Sequence, residues 1–343
     1  MVVLAGGVGS RFWPVSTPAR PKQVLPLAGP EPLIRQTIAR ILPLVPAERI
    51  RVLTGTRLGP AILEAVPELG PENLWLEPRA RGTAPVLAWA AHSVHRLDAG
   101  AVMLSLHADH VIAPEAAFRD LLVQAASASV RHRRLFTIGA RPTRPETGYG
   151  YIRPGGPLDE DGTARLVAEF VEKPDRATAE RYIEQGCLWN TGLFIWPAAL
   201  LLEELCAHTP ELAGLLPLLD AGDVAGFFER APVLTIDVGL LERTDRVGVM
   251  AATFDWDDVG AWDAVARTRP TDEAGNVLVG DARAVDSGGC IVWSEDGRTV
   301  VFGMEDVVVV RANGTTLVAP RARAPDLKRL LEQLPAELVQ EGP

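Results

Sequence analysis

A run of glycines followed by two cations sits at the very start of this 343-residue chain. Gly6, Gly7 and Gly9 come directly after the apolar run Val2-Val3-Leu4-Ala5, and Ser10 and Arg11 follow them. Glycines just past a strand let the backbone turn tightly and bring its N–H groups against an anion. Arg11 adds a rigid fork of donors suited to phosphate oxygens, and Lys22 a mobile point charge. The stretch matches neither common nucleotide motif. A P-loop needs a Gly-Lys pair after its spacer, but Arg11 is the residue five beyond Gly6. A dinucleotide fingerprint counted from Gly7 would need its third glycine where Phe12 stands, and an acidic ribose reader near Pro26. The residues describe a polyphosphate cradle of another kind.

Carboxylates are spaced to join it. Asp109 follows the apolar run 101–106, and Asp257 and Asp258 follow the run 247–254. Two carboxylates from separate strand ends, beside a phosphate loop, suit Mg²⁺, which takes few protein oxygens and keeps water and phosphate for the rest. His107 and His110 flank Asp109, but no third ligand recurs at a spacing that would complete a transition-metal site. Further on, Glu172-Lys173-Pro174 ends one apolar run and Trp189-Asn190-Thr191-Gly192 opens another. A carboxylate and an amide read sugar hydroxyls through paired hydrogen bonds, and an ammonium beside them holds a phosphate. Gly148-Tyr149-Gly150 offers a point of close backbone approach. Lysine occurs only at 22, 173 and 328 in a chain that otherwise uses arginine, and two of the three lie in these motifs. The whole reads as a nucleotide pocket facing a pocket for a phosphorylated sugar.

Such residues need strand ends to hold them. Apolar runs at 2–5, 50–53, 73–76, 101–106 and 135–139 alternate with helical periodicity at 33–42, 58–66, 83–97 and 114–131. Thr83 is placed to cap the third helix, with Pro85 in its first turn. Repeated βα units predict a doubly wound sheet with ligands at the carboxyl ends of its strands. The middle changes texture, with strands expected at 149–152, 166–171, 189–196 and 247–254, so the sheet becomes mixed. Helices are expected at 176–185, 198–206 and 212–229. Beyond residue 270 come short strands with glycine turns, at 282–285, 290–293, 299–302, 307–311 and 316–318, and a closing helix at 325–334. The boundary falls within 267–275. The chain divides into 1–268, an α/β unit with a doubly wound mixed sheet, and 275–343, a small β-rich unit. The apolar strand 307–310 could serve a homodimer interface.

Composition narrows the classes. A net charge of −10 argues against a nucleic-acid-coating surface. No apolar run approaches the ~20 residues of a membrane span. The amino terminus enters a strand without a basic leader, and the three cysteines form no CxxC pair. These features predict a cytoplasmic protein without membrane or nucleic-acid partners.

The motifs LAGGVGSRFWP, PKQVLPL, EP followed by RGTAP, ADHVI, GYGYI, VEKP, WNTGLF and DWDDVGAW occur in that order between residues 2 and 262. Taken together they resemble the sugar-1-phosphate nucleotidyltransferases, and within them the mannose-1-phosphate guanylyltransferases. Ser10 to Pro14, the segment 81–85 and the Trp before Asn190 point to the guanylyl branch over the thymidylyl one. The resemblance implies a Rossmann-like catalytic domain with a β-helix-like tail. Longer relatives add a phosphomannose isomerase domain, for which this chain has no room. The implied reaction joins GTP and mannose 1-phosphate to give GDP-mannose and pyrophosphate, with Mg²⁺. Leu4, Ala5, Gly6, Gly7, Gly9, Ser10 and Arg11 would hold the nucleotide, with Arg81, Thr83 and Pro85 around guanosine and Asp109 close by. Arg11 and Lys22 would be catalytic, and Asp109 and Asp258 would bind the metal. Gly148, Glu172, Asn190 and Thr191 would read mannose, with Lys173 on its phosphate. Gly82, His107 and Thr191 stand where the family usually has Asn, Pro and Ser. Alternatives are another nucleoside triphosphate and hexose 1-phosphate, or a silent homologue that binds nucleotide sugars without turnover. The presence of Arg11, Lys22, Asp109, Lys173 and Asp258 weighs against the silent form.

Overall fold

The structure is a computed structural model, and it describes residues 1–7, 9–335, 338 and 339. Val8, inside the glycine run, and the last four residues of the expected tail unit lie outside the described residues, as do 336 and 337. Strands β1 (Val2–Leu4), β2 (Arg51–Gly55), β3 (Leu74–Glu77) and β4 (Val102–His107) pair in parallel in the order β3-β2-β1-β4. Strand β5 (Val111–Ala113) leaves this sheet. The rest of it comprises β6 (Leu135–Ala140), β7 (Tyr151–Pro157), β8 (Ala164–Val171), β9 (Leu188–Pro197) and β10 (Val247–Ala251). They continue the order as β9-β6-β10-β8-β7, with β9 antiparallel to both β4 and β6. The sheet is therefore mixed.

Strand alternation explains its two covered faces. Successive residues of a strand point to opposite sides. Val2 and Leu4 enter one core, with helix α3 (Thr83–Leu97), while Val3 and Ala5 enter the other. That second core holds α1 (Leu33–Ile41), through Ile34, Ile38 and Ile41, α2 (Gly59–Ala65), through Ile62, and α4 (Glu115–His132), through Phe118, Leu121 and Leu122. Both layers place the carboxyl ends of β1, β3 and β4 at one edge.

Several local expectations give way. The expected helix 212–229 is three short helices, Pro210–Ala213, Leu216–Asp220 and Val224–Arg230. Pro217 starts a fresh helix and Gly222, at φ +77°, ends it. Thr83 is not the cap of α3. That position belongs to Gly82, and the Thr83 hydroxyl instead accepts the Ile236 N–H at 2.9 Å. Strand β5 and its antiparallel partner β11 (Asp255–Asp257) were too short to carry a periodic signal.

The tail is a small sheet of β12 (Val277–Val285), β13 (Ile291–Phe302), β14 (Val307–Ala312) and β15 (Thr315–Pro320). The first three run parallel, as in a β-helix, and β15 turns back antiparallel to β14. The two strands expected at 290–293 and 299–302 are the one strand β13, and the closing helix is shorter, Leu327–Leu331. Residues 307–310, expected as an outer face, are all buried, Val307 and Val309 in a core of the tail alone and Val308 and Val310 in a larger third core. This third core joins both ends of the chain. Phe12, Trp13, Leu25 and Leu27 pack with Trp262, Trp293, Ile291 and Leu327. The Trp262 ring lies edge-on between Phe12 and Trp293, with centroids 5.3 and 5.4 Å away.

Candidate active site

The glycine loop leaves β1 at its carboxyl end and is held by the residues that follow it. The side-chain amide of Gln23 donates to the carbonyls of Gly6 and Gly7, at 2.5 and 3.1 Å. Gly9 sits at φ +67°, and a Cβ there would lie 2.5 Å from the Lys22 Cβ. Only glycine lets the loop close on the lysine stem. Lys22 then reaches inward. Its ammonium is 2.9 Å from Asp109 Oδ2 and donates to the carbonyls of Asp258 and Val259, at 3.1 and 3.0 Å. Asp109 follows β4 and Asp258 follows β11, so this one cation ties two strand ends to the loop.

The acids differ in their surroundings. Burial pushes Asp109 up, but Lys22, His110 and His107 more than offset it and hold the carboxyl below the usual range. Burial pushes Asp258 up, with Asp257 and Asp109 adding to it against Lys22 and the Tyr149 hydroxyl. Tyr149 donates to Asp258 Oδ1 at 2.5 Å, and burial and Asp258 raise its own pKa, so it stays a donor. Asp257 is engaged elsewhere, by Arg267 at 2.6 Å. His107 and His110 are lowered by burial and stay neutral at pH 7. Trp256 donates to His110 Nδ1 at 3.1 Å. His107, Asp109 and His110 bring ligand atoms within 4.8 Å of one another. The half-buried, mutually repelling pair Asp109 and Asp258 is the donor set that suits a hard cation such as Mg²⁺.

A cavity of about 250 Å³ opens on one side of Asp109. Leu4, Gly6, Gly7, Glu77, Gly82, Thr83 and His107 line it with Asp109. Ala5 is fully buried behind it, and Pro85 is buried within the first turn of α3. Arg81 and Pro85 do not line it. The Arg81 guanidinium donates to the carbonyls of Phe228 and Glu229, at 2.9 and 3.0 Å. Ser10 is half-buried, and Arg11 projects into solvent at the loop's far end. Gly82 stands at φ +83° with the Leu234 carbonyl 2.5 Å from where a Cβ would be. A side chain there would be strained and would press on that carbonyl.

On the other side, Asn190 and Glu172 are brought together around a residue the sequence did not single out. Asn190 Nδ2 donates to Asp237 Oδ1 at 2.9 Å, and its Oδ1 accepts from Thr137 at 3.0 Å. Lys173 pairs with the Glu172 carboxylate, while the Glu172 N–H donates to Glu242 at 2.9 Å. Burial and then Glu172 push the Asp237 carboxyl up to about 7, with Lys173 opposing and Glu242 adding. Gly148 is exposed, its N–H donating to Glu146. Thr191 turns away, its hydroxyl donating to the Ile138 carbonyl at 2.7 Å inside the sheet. Gln23, Tyr149 and Asp237 were missed because each acts on a partner remote in the chain. The acid inside an otherwise apolar run at 236–241 was the one available signal for Asp237.

Comparison with known proteins gives concordant results. The nucleotidyl transferase family model matches residues 1–275, and one for a MannoseP isomerase/GMP-like beta-helix domain matches residues 280–334. A mannose-1-phosphate guanylyltransferase of Klebsiella pneumoniae is 36 % identical, over 97 % of this chain and 73 % of the relative. The mannose-1-phosphate guanylyltransferase ManC of Salmonella typhimurium is 38 % identical, over 98 % and 73 %. A solved structure from Thermus thermophilus, described as a mannose-1-phosphate geranyltransferase, shares a TM-score of 0.89 and 34 % identity. That match covers 97 % of this chain and 98 % of the other.

Proposed function

Because the chain belongs to the nucleotidyl transferase family, we propose that it transfers GMP from GTP to α-D-mannose 1-phosphate, releasing pyrophosphate and forming GDP-mannose. The observation that carries this reading is the position of Lys22. It bonds Asp109 and the Asp258 main chain beside the glycine loop, between a cavity sized for a base and the cluster of Glu172, Lys173 and Asn190. In this reading a mannose 1-phosphate oxygen forms the new bond to the α-phosphorus of GTP as the bond to the β-phosphate oxygen breaks. The nucleophile is already ionised at pH 7, so no general base is needed.

Catalysis is then positioning and charge neutralisation. The loop N–H groups and Arg11 hold the phosphates. Lys22 supplies its ammonium to the oxygens that gain charge. Asn190 and Glu172 orient the sugar, and Lys173 meets its phosphate. Members of the family generally use a divalent metal, and here Asp109 and Asp258 would hold Mg²⁺. Bound there, the metal supplies further positive charge to the transferred phosphoryl group. We assign residues 1–268 to the catalytic unit and 275–343 to the tail. Among the described residues no helix is long and apolar enough to cross a membrane, which suits a cytoplasmic setting.

The test is pyrophosphate release with Mg²⁺, crossing GTP, ATP, UTP, CTP and dTTP against mannose and glucose 1-phosphates. Release confined to GTP with mannose 1-phosphate is expected. Release with a different pair would move the enzyme within its family. No release with any pair, from folded protein that still binds GDP-mannose, would make it a silent binder.

A further inference from the structure

Residues 234–242 touch both halves of the site. At one end the Leu234 N–H donates to the Arg81 carbonyl at 2.9 Å, and the Leu234 carbonyl accepts from Ala84 N–H at 3.0 Å. Ile236 N–H donates to the Thr83 hydroxyl, so this end is bonded to the rim of the cavity beside the glycine loop. At the other end Asp237 holds the Asn190 amide and Glu242 holds the Glu172 N–H. Between them the chain makes a π-helical turn, Asp237–Leu241, a form that recurs at functional sites. The Gly239 carbonyl inside that turn accepts from Thr209 at 2.6 Å.

We propose that Asp237 is a positioning residue for the sugar phosphate, acting through Asn190. The proposal rests on the GTP and mannose 1-phosphate reading above. Asn190 has both ends of its amide occupied, Nδ2 by Asp237 and Oδ1 by Thr137. An amide gripped at both ends cannot rotate, so it presents one fixed pattern of donors and acceptors to a sugar hydroxyl. Without Asp237 the amide keeps only the Thr137 contact and the neighbouring Gly192 N–H, and its orientation is lost. Asp237 itself need not touch the sugar. Its requirement is an acceptor oxygen at the Asn190 Nδ2 position, which an amide at 237 also supplies.

Steady-state kinetics on the full chain test this, with circular dichroism to confirm folding. Asp237→Ala is expected to raise KM for mannose 1-phosphate about tenfold, the scale of one lost hydrogen bond to a charged group, with kcat and the GTP KM within about twofold. Asp237→Asn restores the acceptor and should recover most of that affinity. Adding Asp237→Ala to Asn190→Ala should cost nothing further, because the first change acts through the second residue. If the alanine variant does not fold, Asp237→Ser, whose shorter side chain falls away from Asn190, takes its place. The proposal is overturned if the alanine or serine variant leaves the sugar-phosphate KM unchanged, or if both substrates' KM values rise together. It is equally overturned if asparagine is as damaging as alanine. Wild-type protein that turns over GTP with no sugar phosphate would instead defeat the reading beneath it, so the two failures are separable.

Discussion

Lys22 meets its surroundings with both ends of its side chain. Its stem lies against the Gly9 backbone and its ammonium bonds Asp109 and the 258–259 main chain. Losing one cation or donor aimed at developing charge costs roughly 10²–10³ in rate. Lys22→Ala and Asp109→Ala should each lower turnover by about that factor, with circular dichroism unchanged. Near-normal turnover in either purified variant would remove that residue from the mechanism. Gly9→Ala should mimic Lys22→Ala in rate, because the added methyl displaces the lysine stem. Its cost in stability should be only about 1–2 kcal/mol, the penalty of a left-handed alanine. Chemical denaturation beside the pyrophosphate assay separates the two effects. A second residue-scale effect concerns Asp237. Its folded pKa, about 7, lies above the ordinary carboxylate value, so the folded protein binds the extra proton between about pH 4 and 7. That proton's contribution is present at low pH and lost as pH rises through 7. Asp237→Asn should therefore gain stability over wild type by roughly 4 kcal/mol at pH 8, shrinking toward zero near pH 4. A difference in Tm that does not change with pH would contradict this.

At the scale of elements, what was legible depended on how local the cause was. Strand β1, helix α1 and helix α3 could be read because their periodicity and breakers lie within the segment itself. The carboxyl-end placement of Asp109 follows from the apolar run at 101–106, whereas Asp258 follows the short β11, because the strand expected at 247–254 ends at Ala251. Arg81 was not legible in this way. Its side chain finds carbonyls 147 and 148 residues away, and nothing in the surrounding RGTAP segment announces that. Asp237 and Thr191 carry the same lesson in opposite directions, one turned toward Asn190 and the other into the sheet. The helix expected over 212–229 failed because apolar spacing continues straight through Pro217 and Gly222, which break the backbone without breaking the pattern. The Arg81 placement makes a prediction for the element it holds. Arg81→Ala should loosen residues 228–242, speeding amide exchange there and raising KM for both substrates several-fold. A rise confined to GTP would mean that Arg81 acts at the base instead.

At the scale of the molecule, the glycine loop is anchored from outside its own sheet. Phe12 packs on Trp262, and Trp262 packs on Trp293 of the tail. Arg269 reaches back to the carbonyls of Pro26, Leu27 and Gly29, and Asn313 donates to the Pro14 carbonyl at 2.8 Å. Truncating a buried Trp typically costs about 3–5 kcal/mol. Trp293→Ala should cost that much in urea denaturation and also raise KM for GTP, although the ring lies outside the cavity. Unchanged GTP affinity would mean the tail supports the fold without shaping the loop.

That third core also has a meaning in time. A ribosome releases Phe12 and Leu25 well before Trp293 and Leu327, yet their side chains share one packed interior. The βα layers can begin to form during synthesis, but Trp262, on which Phe12 packs, lacks its Trp293 neighbour until the tail has emerged. A chain arrested before β13 would carry every charged residue of the candidate site and every partner of Lys22, yet lack the Trp293 ring that Trp262 packs on.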